Sequence, residues 1–386
     1  NNNTIDRMTL NEVDVGRQCR HIVRKSIIDF ILFCFGLMLS YNLYFHYSSE
    51  ALFDINLTVK VMDTISIIFG YLQYLIDLYF VYKYAGEPFL AYYKTYDDID
   101  KYFEMKYHRE IRRKVKFSII IFLVLWFLSS GADYIAWCQA FDLLSPTTYM
   151  VVYFTFLMRI LTVLELNSHS MLIGYRLKTI VDVLREHFSS TQDMPTRIKV
   201  VKKWPQVFIK NKVKIVPLKI RNTSEIAKLG SYYLLLSEQA TFLNNFFGVR
   251  ILLHCLYTLS EIISFVNVID RVLLGSMYTK YNIGYYPAVT TFLRLFTIAT
   301  LLTSLVYHCE QSSRQTGHVI SALDHILVNK RTSLEVHTSL QQLRALVSTR
   351  PIRFHAANFF NLDSTLLLST ASVVATYAVL LIQTAL

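Results

Sequence analysis

Apolar residues in this chain gather into seven stretches, each near the roughly 20 residues that a helix needs to cross the hydrocarbon core of a bilayer. They run approximately over 27–46, 61–82, 117–138, 147–167, 247–269, 286–308 and 362–385. The first, third and seventh are the clearest. The second carries Asp63 and Asp77, the fourth Arg159 and Glu165, and the fifth His254 and Glu261. Helical periodicity continues beyond several of these ends. Leu172, Ile173, Leu177, Ile180, Val181 and Leu184 alternate with Arg176, Lys178 and Arg185, which predicts an amphipathic extension of the fourth span over 171–187. Residues 226–247 resume a helix that enters the fifth span. Between the sixth and seventh, 319–347 place Ile320, Leu323, Ile326, Leu327, Leu334, Leu340, Leu343 and Leu346 at near-helical spacing, with a break around 329–332. Apolar stripes outside a membrane must pack on something. Packing within the chain and a cytoplasmic region where subunits meet are both open on this pattern. Residues 190–221 hold Pro195, Pro205, Pro217 and seven lysines with few acids, and read as a flexible or disordered basic loop. The pattern as a whole predicts an all-α membrane protein of seven transmembrane helices with helical cytoplasmic extensions forming an anchor region.

Composition removes the soluble alternatives. Hydrophobic residues make up 53% of the 386 and charged residues only 17%, against roughly 25% charged in soluble domains. Aromatics reach 14%, while 11 Gly and 7 Pro exclude collagen and low-complexity disorder. Cys19, Cys34, Cys138, Cys255 and Cys309 are scattered without a Cys-x-x-Cys pair, so neither a disulfide scaffold nor a metal site is expected. No nucleophile or cofactor constellation is visible either. His308-Cys309-Glu310 reads as boundary residues, and an enzyme is not expected.

The net charge of +11 has a membrane explanation. On the seven-span reading, 33 of the 39 Lys and Arg fall on one side and two on the other, with the run Arg112, Arg113, Lys114 and Lys116 at one span edge. The positive-inside rule then puts the N-terminus in the cytoplasm and the C-terminus outside. The basic side lies against the anionic inner leaflet, so nucleic acid is not needed to account for the charge. The first span is expected to serve as its own insertion signal. Asn56-Leu57-Thr58 is a glycosylation sequon on the outer side, whereas those at Asn2 and Asn222 fall inside. The expected organisation is a cytoplasmic N-terminus over 1–26, transmembrane helices 1–4 over 27–170, cytoplasmic extensions and the basic loop over 171–245, helices 5–6 over 246–308, an anchor segment over 309–361 and the last helix over 362–386. This orientation is opposite to that of a G-protein-coupled receptor, and the chain lacks an Asp-Arg-Tyr end to its third span. A secondary transporter would show internal repeats and Gly/Pro-broken helices, which these spans lack.

The last span reads Thr376-Tyr377-Ala378-Val379-Leu380-Leu381-Ile382-Gln383. Thr-Tyr, five hydrophobic residues and Gln, ending a seven-span chain with an inside N-terminus, resembles the signature of the insect gustatory receptors. Phe359-Phe360-Asn361-Leu362-Asp363-Ser364-Thr365-Leu366 resembles that family's approach to its last helix, although Thr384 stands where the family usually has Phe. The family is similar to the insect odorant receptors. The resemblance implies a plasma-membrane receptor of sensory neurons that acts as a ligand-gated, non-selective cation channel. It also implies a homotetramer, with a heteromer as the alternative, and a last helix around a central pore. A tastant would open it, a sugar or a bitter compound. Gly131-Ala132-Asp133-Tyr134-Ile135-Ala136-Trp137 resembles the corresponding stretch of the fructose-sensing branch.

The residues can be read for these roles on their own chemistry. Ser372, Thr376, Val379 and Gln383 fall on one helical stripe, with Val379 or Leu380 as a dewetting gate and Thr384 next to the amide ring. Ser and Thr in a membrane helix also mediate close packing, and that reading stands beside the pore. Toward the predicted outer side lie Asp133, Tyr134 and Trp137 on the third span and Tyr149, Tyr153 and Phe154 on the fourth. Glu261, Ser264 and Asn267 on the fifth join them, with Tyr286, Thr290, Thr291 and Arg294 on the sixth. Rings with carboxylate, amide and hydroxyl groups suit a sugar, and also an alkaloid amine beside a carboxylate. Trp137 serves equally as an interfacial belt residue. Glu261 and Arg294 sit at matching depth and are expected to pair; Glu165 and Arg250 match likewise nearer the inner face, as a structural pair. The alternative to conduction is a seven-span receptor that signals through cytoplasmic partners docking on the basic loop.

Overall fold

A computed structural model describes residues 33–41, 44, 57–84, 90–94, 107–140, 150–189, 223–273, 286–330 and 332–385. Residues 33–41, inside the first predicted span, are helical. Six long helices then follow the other predicted spans. They are α1 (Leu57–Tyr84), α2 (His108–Ala140), α3 (Met150–Ser189), α4 (Thr223–Leu273), α5 (Tyr286–Asn329) and, at the end, α7 (Ser364–Ala385). The short α6 (Leu334–Thr349) lies between α5 and α7. Four of these contain stretches long and apolar enough to cross a membrane: Arg109–Ala136, Met150–Phe188, Thr223–Val266 and Ala288–Asn329. The N-terminal segment, the sequon at Asn56 and the basic loop over 190–221 lie outside the described residues.

Length explains the architecture. Helices α3, α4 and α5 have 40, 51 and 44 residues. At about 1.5 Å per residue each exceeds 55 Å, close to twice a hydrocarbon core of about 30 Å. Half of each helix therefore needs apolar cover of its own. Ile173, Leu177, Ile180 and Leu184 of α3 supply it together with Ile226, Leu229, Tyr233, Leu236 and Leu243 of α4, and Val319, Leu323 and Ile326 of α5. Leu340, Leu343 and Val347 of α6 close the same core. The apolar stripes of the extensions thus meet inside one chain. Where α3 and α5 cross, Gly174 approaches so closely that a Cβ would lie 3.1 Å from the Ser312 hydroxyl.

The α5–α6 break falls where the apolar spacing lapses. Ser333 caps α6 by accepting from the Val336 N–H at 3.5 Å. After α6 the chain makes a hairpin that the helical pattern did not predict. Strands β1 (His355–Ala356) and β2 (Phe360–Asn361) pair antiparallel with His355 opposite Asn361. Ala357 and Asn358 carry the positive φ angles, 49° and 63°, that the tight turn requires. Burial holds the His355 imidazole below its usual pKa, so Nδ1 keeps the lone pair that accepts the Asn358 N–H at 3.1 Å.

Helix α4 grips this hairpin with two residues one turn apart. Asn244 donates Nδ2 to the Arg353 carbonyl at 2.8 Å and accepts the His355 N–H on Oδ1 at 3.2 Å. Gly248 faces the turn itself, and a Cβ there would lie 2.9 Å from the Ala357 nitrogen. The hairpin leads directly into α7, so the register of α4 against it sets where α7 begins. Gly248→Ala is therefore expected to lower the unfolding midpoint of the purified protein, by about 1–3 kcal/mol of overpacking strain. Gly317→Ala on the exposed side of α5, where nothing lies within 4 Å, is expected to hold or raise it, by up to about 1 kcal/mol from helix propensity. Thermal unfolding of the two variants side by side checks the contrast.

Candidate functional site

Four helices turn charged side chains toward one another, each from a stripe at helical spacing. Helix α2 buries Ser129, Ser130, Asp133 and Ala136; α3 buries Tyr153, Phe156, Arg159 and Ile160. Helix α4 buries His254, Tyr257, Thr258 and Glu261, and α5 buries Thr290, Thr291, Arg294 and Thr297. The opposite face of α2 shows large apolar groups such as Phe117 and Phe127. The helix thus carries its polar stripe inward and its apolar stripe outward, the arrangement of a bundle surrounded by lipid.

Glu261 is the hub. Its Oε2 accepts Arg159 Nη1 at 3.2 Å, and its Oε1 accepts Arg294 Nη2 at 3.2 Å and the Tyr257 hydroxyl at 2.7 Å. Arg294 reaches on through Nη1 to Asp133 Oδ2 at 3.3 Å, and the Tyr153 hydroxyl donates to the same oxygen at 2.9 Å. Two guanidinium groups and two carboxylates make the network electrically neutral, which is the condition for burying four charges together. Aromatic faces complete the enclosure. The Arg159 guanidinium lies 3.7 Å from the Tyr257 ring centroid, and Arg294 lies 5.3 to 5.6 Å from the rings of Phe265, Tyr153 and Phe156. Among the described residues, Arg159 Nε and Nη2, Arg294 Nε, His254 Nδ1, Thr258 Oγ1 and Ser264 Oγ are buried without a protein hydrogen-bond partner. The network has polar capacity to spare. No group of three or more His, Cys, Asp or Glu that could hold a metal occurs among the described residues.

Of the residues singled out from sequence, Asp133, Tyr153, Glu261 and Arg294 come together here, and the expected Glu261–Arg294 pair forms. Thr290 and Thr291 are buried about one turn from Arg294, and Tyr134 is half-buried beside Asp133. Phe154 and Tyr286 are instead exposed. Tyr149 lies outside the described residues, as do the side chains of Trp137 and Asn267. Phe156, Tyr257 and Phe265 were not singled out from sequence, and Arg159 stood out only as a charge within the fourth span. Tyr257 had a usable signal, four residues before Glu261 and thus on the same face.

A second polar layer corrects the other expected pair. Arg250 does not take Glu165 as its hydrogen-bonded partner. Its Nε donates to Asp77 Oδ1 of α1 at 2.5 Å and its Nη2 to Thr162 of α3 at 3.2 Å, while Gln73 Nε2 donates to the same Asp77 oxygen at 3.0 Å. Glu165 interacts with Arg250 only through the field. The reason is the approach of α1 to α4, which puts a shorter carboxylate directly against the guanidinium.

Helix α7 has two faces. Leu366, Leu367, Thr370 and Val374 are partly buried, and the helix packs on α4 and α5. Ser372, Thr376, Val379 and Gln383 are all exposed. The side chains of Leu380 and Thr384 are outside the described residues. Thr376 returns its hydroxyl to the Ser372 carbonyl at 2.9 Å, which satisfies it within its own helix.

Because Glu261 serves both arginines and Asp133 serves one, their neutral variants are expected to differ. Glu261→Gln leaves two buried cations facing one carboxylate, and a loss of about 3–5 kcal/mol follows from breaking a buried pair. Asp133→Asn leaves Arg294 its contact with Glu261 and is expected to cost less. Thermal unfolding in detergent measures both, and equal losses would refute the hub role of Glu261.

A profile of the 7tm Chemosensory receptor family matches residues 8–386. Over 73 residues the chain is 36% identical to the Putative gustatory receptor 28b of Drosophila melanogaster, a match that takes in 19% of this chain and only 15% of that protein. The fold is similar to the olfactory receptor OR5 of Machilis hrabei, with a TM-score of 0.54 at 11% identity over 92% of this chain and 88% of that one. The same receptor in complex with eugenol gives a TM-score of 0.55 over the same shares. With the family profile spanning nearly all of its length, and a gustatory receptor and an insect olfactory receptor among its likenesses, this chain belongs to the 7tm chemosensory receptor family.

Proposed function

We propose that this receptor is a ligand-gated, non-selective cation channel of seven spans, with its N-terminus in the cytoplasm, opened by a tastant at the buried charge network. The observation that carries the reading is the division of α7. One face packs on α4 and α5, and the other leaves Ser372, Thr376, Val379 and Gln383 exposed. A helix with a polar stripe on its unpacked face is suited to line a water-filled path between copies of the chain, in a homotetramer or a heteromer. The stripe holds no acidic residue, which fits weak discrimination among cations.

The network supports a sugar over an alkaloid amine. Each carboxylate is already matched by an arginine, so an ammonium ligand must break an ion pair to find a counter-charge. A sugar brings hydroxyl oxygens that accept from spare donors such as Arg294 Nε and Arg159 Nη2, and the rings of Tyr153 and Phe156 offer apolar faces to the pyranose or furanose carbons. The related olfactory receptor OR5 was solved with the small molecule eugenol, in keeping with ligand binding by this fold. A ligand that fits one arrangement of α2–α5 better than another shifts the equilibrium by that difference in affinity. The helices that hold Glu261 and Arg294 also hold α7, so the shift reaches the stripe.

Oocytes expressing the receptor, bathed in a panel of sugars and alkaloids, test this. Sugar-evoked current is expected without added G protein. Tyr153→Phe, which removes one hydroxyl from the network, is expected to raise the half-maximal concentration by about tenfold, the worth of one hydrogen bond of about 1.5 kcal/mol. Gln383→Ala is expected to change unitary conductance and leave that concentration in place. Surface expression without current, together with a second-messenger response, would assign the protein to partner-coupled signalling instead.

A further inference from the structure

The first two turns of α2 present a second kind of site. Arg109, Arg112, Arg113 and Lys116 are all exposed, and none has an acidic partner among the described residues. Two nearby acids among the described residues are already engaged. Glu110 accepts Lys114 Nζ at 2.8 Å and the Tyr175 hydroxyl at 2.8 Å, and Lys114 also donates to the Tyr175 oxygen at 2.5 Å. Asp182 of α3 accepts the Tyr107 hydroxyl at 2.6 Å. Lys178 of α3 holds its ammonium 4.7 Å from the Tyr107 ring centroid and remains exposed. Two helices are thus braced side by side by a tyrosine–acid lattice, and the cations left over point away from it.

The exposed stripe continues along α2 without changing face. After Arg109, Arg112 and Lys116 it runs through Ile120, Val124 and Phe127, all large, apolar and exposed. That spacing of three and four keeps one side of the helix. A surface of this kind is stable only against hydrocarbon, which sets the membrane boundary between Lys116 and Phe117. The four cations span about 10 Å of helix at the usual rise, directly at headgroup level. Their density exceeds what one monovalent headgroup neutralises, and clusters of four or more basic residues next to a membrane helix suit polyanionic lipid.

We infer that this face of α2 binds the headgroup of a polyphosphorylated inositol lipid whose acyl chains lie along Ile120, Val124 and Phe127. The position of these cations at headgroup level favours a lipid over a soluble phosphate, because a headgroup is held at that height by its acyl chains. Arg112 and Arg113 are adjacent and offer forked donors for one phosphate; Arg109 and Lys116 flank them one turn to either side. The inference is independent of the ligand at the charge network. It takes from the proposed function only the side of the membrane on which this face lies.

Binding of short-chain phosphatidylinositol bisphosphate to the full chain, purified in detergent, tests it by native mass spectrometry or a fluorescent lipid analogue. The measurement does not depend on sidedness, so its failure is distinct from failure of the channel reading. The bisphosphate lipid is expected to bind at least tenfold more tightly than short-chain phosphatidylserine, with an affinity that falls as salt is raised. Arg112→Gln with Arg113→Gln is expected to weaken it about 20-fold from the loss of two charges near the surface, while Arg112→Lys with Arg113→Lys retains most of the affinity. If the glutamine pair fails to fold, Arg109→Gln and Lys116→Gln taken singly are each expected to weaken binding about fivefold. Equal affinity for phosphatidylserine, or affinity unmoved by these substitutions, would overturn the site. Free inositol trisphosphate binding as tightly as the lipid would overturn the membrane assignment.

Discussion

Burying a charge in a lipid-surrounded helix bundle is tolerable only when an opposite charge and hydrogen bonds meet it, and in this receptor that constraint falls on Glu261. Its two oxygens accept from Arg159, Arg294 and Tyr257, and Arg294 then commits Asp133. Residues on α2, α3, α4 and α5 are therefore fixed relative to one another by groups that cannot be removed singly without stranding a charge. Apolar packing alone specifies less in this setting, since lipid tails compete with side chains on nearly equal terms. The polar contacts choose which helices are neighbours and at what height. Arg250 with Asp77 and Thr162 does the same one layer away and adds α1.

Outside the hydrocarbon the physics changes, and so does the construction. The extensions of α3, α4 and α5 meet α6 through leucine and isoleucine, with few buried ions, as a water-soluble core does. Tyr233 ties this core to the following chain by donating to the Arg350 carbonyl at 2.8 Å. Asn244 and Gly248 then seat the hairpin that starts α7. One helix, α4, thus carries Glu261 near one end and the hairpin clamp near its middle. The same helix joins the network to the segment from which α7 starts.

The helices were readable because their apolar runs and periodicity are long, and the longest elements are the ones where that signal accumulates. Glu261 with Arg294 was readable for a different reason: two opposite charges at one depth inside spans have few ways to be satisfied. Depth alone misplaces Arg250: it matches Glu165, but lateral neighbours are not encoded in depth, and α1 brings Asp77 into contact instead. Arg159 was visible as a charge within a span but not as the second arm on Glu261, for the same reason. The hairpin at 355–361 was hidden because two-residue strands leave no alternation, and its positive φ angles fall on Ala357 and Asn358, with no glycine to mark the turn.

Neutrality of the network also bears on how a ligand would act there under the proposed function. A cation entering must compete with Arg294 or Arg159 for a carboxylate, and an anion must compete with Glu261 or Asp133 for a guanidinium; either exchange strands a like charge at the same site. An uncharged, hydroxyl-bearing molecule faces neither exchange. It meets donors that have no protein partner, on Arg159 Nε and Nη2 and Arg294 Nε, and it satisfies them without dissolving an ion pair. Where the acceptor of such a molecule lies off the line of the Nε–H bond, the guanidinium turns to meet it and carries its bonds to Asp133 and Glu261 with it. Those two acids stand on α2 and α4, and a small rotation of Arg294 therefore alters the spacing of helices that the network otherwise holds fixed.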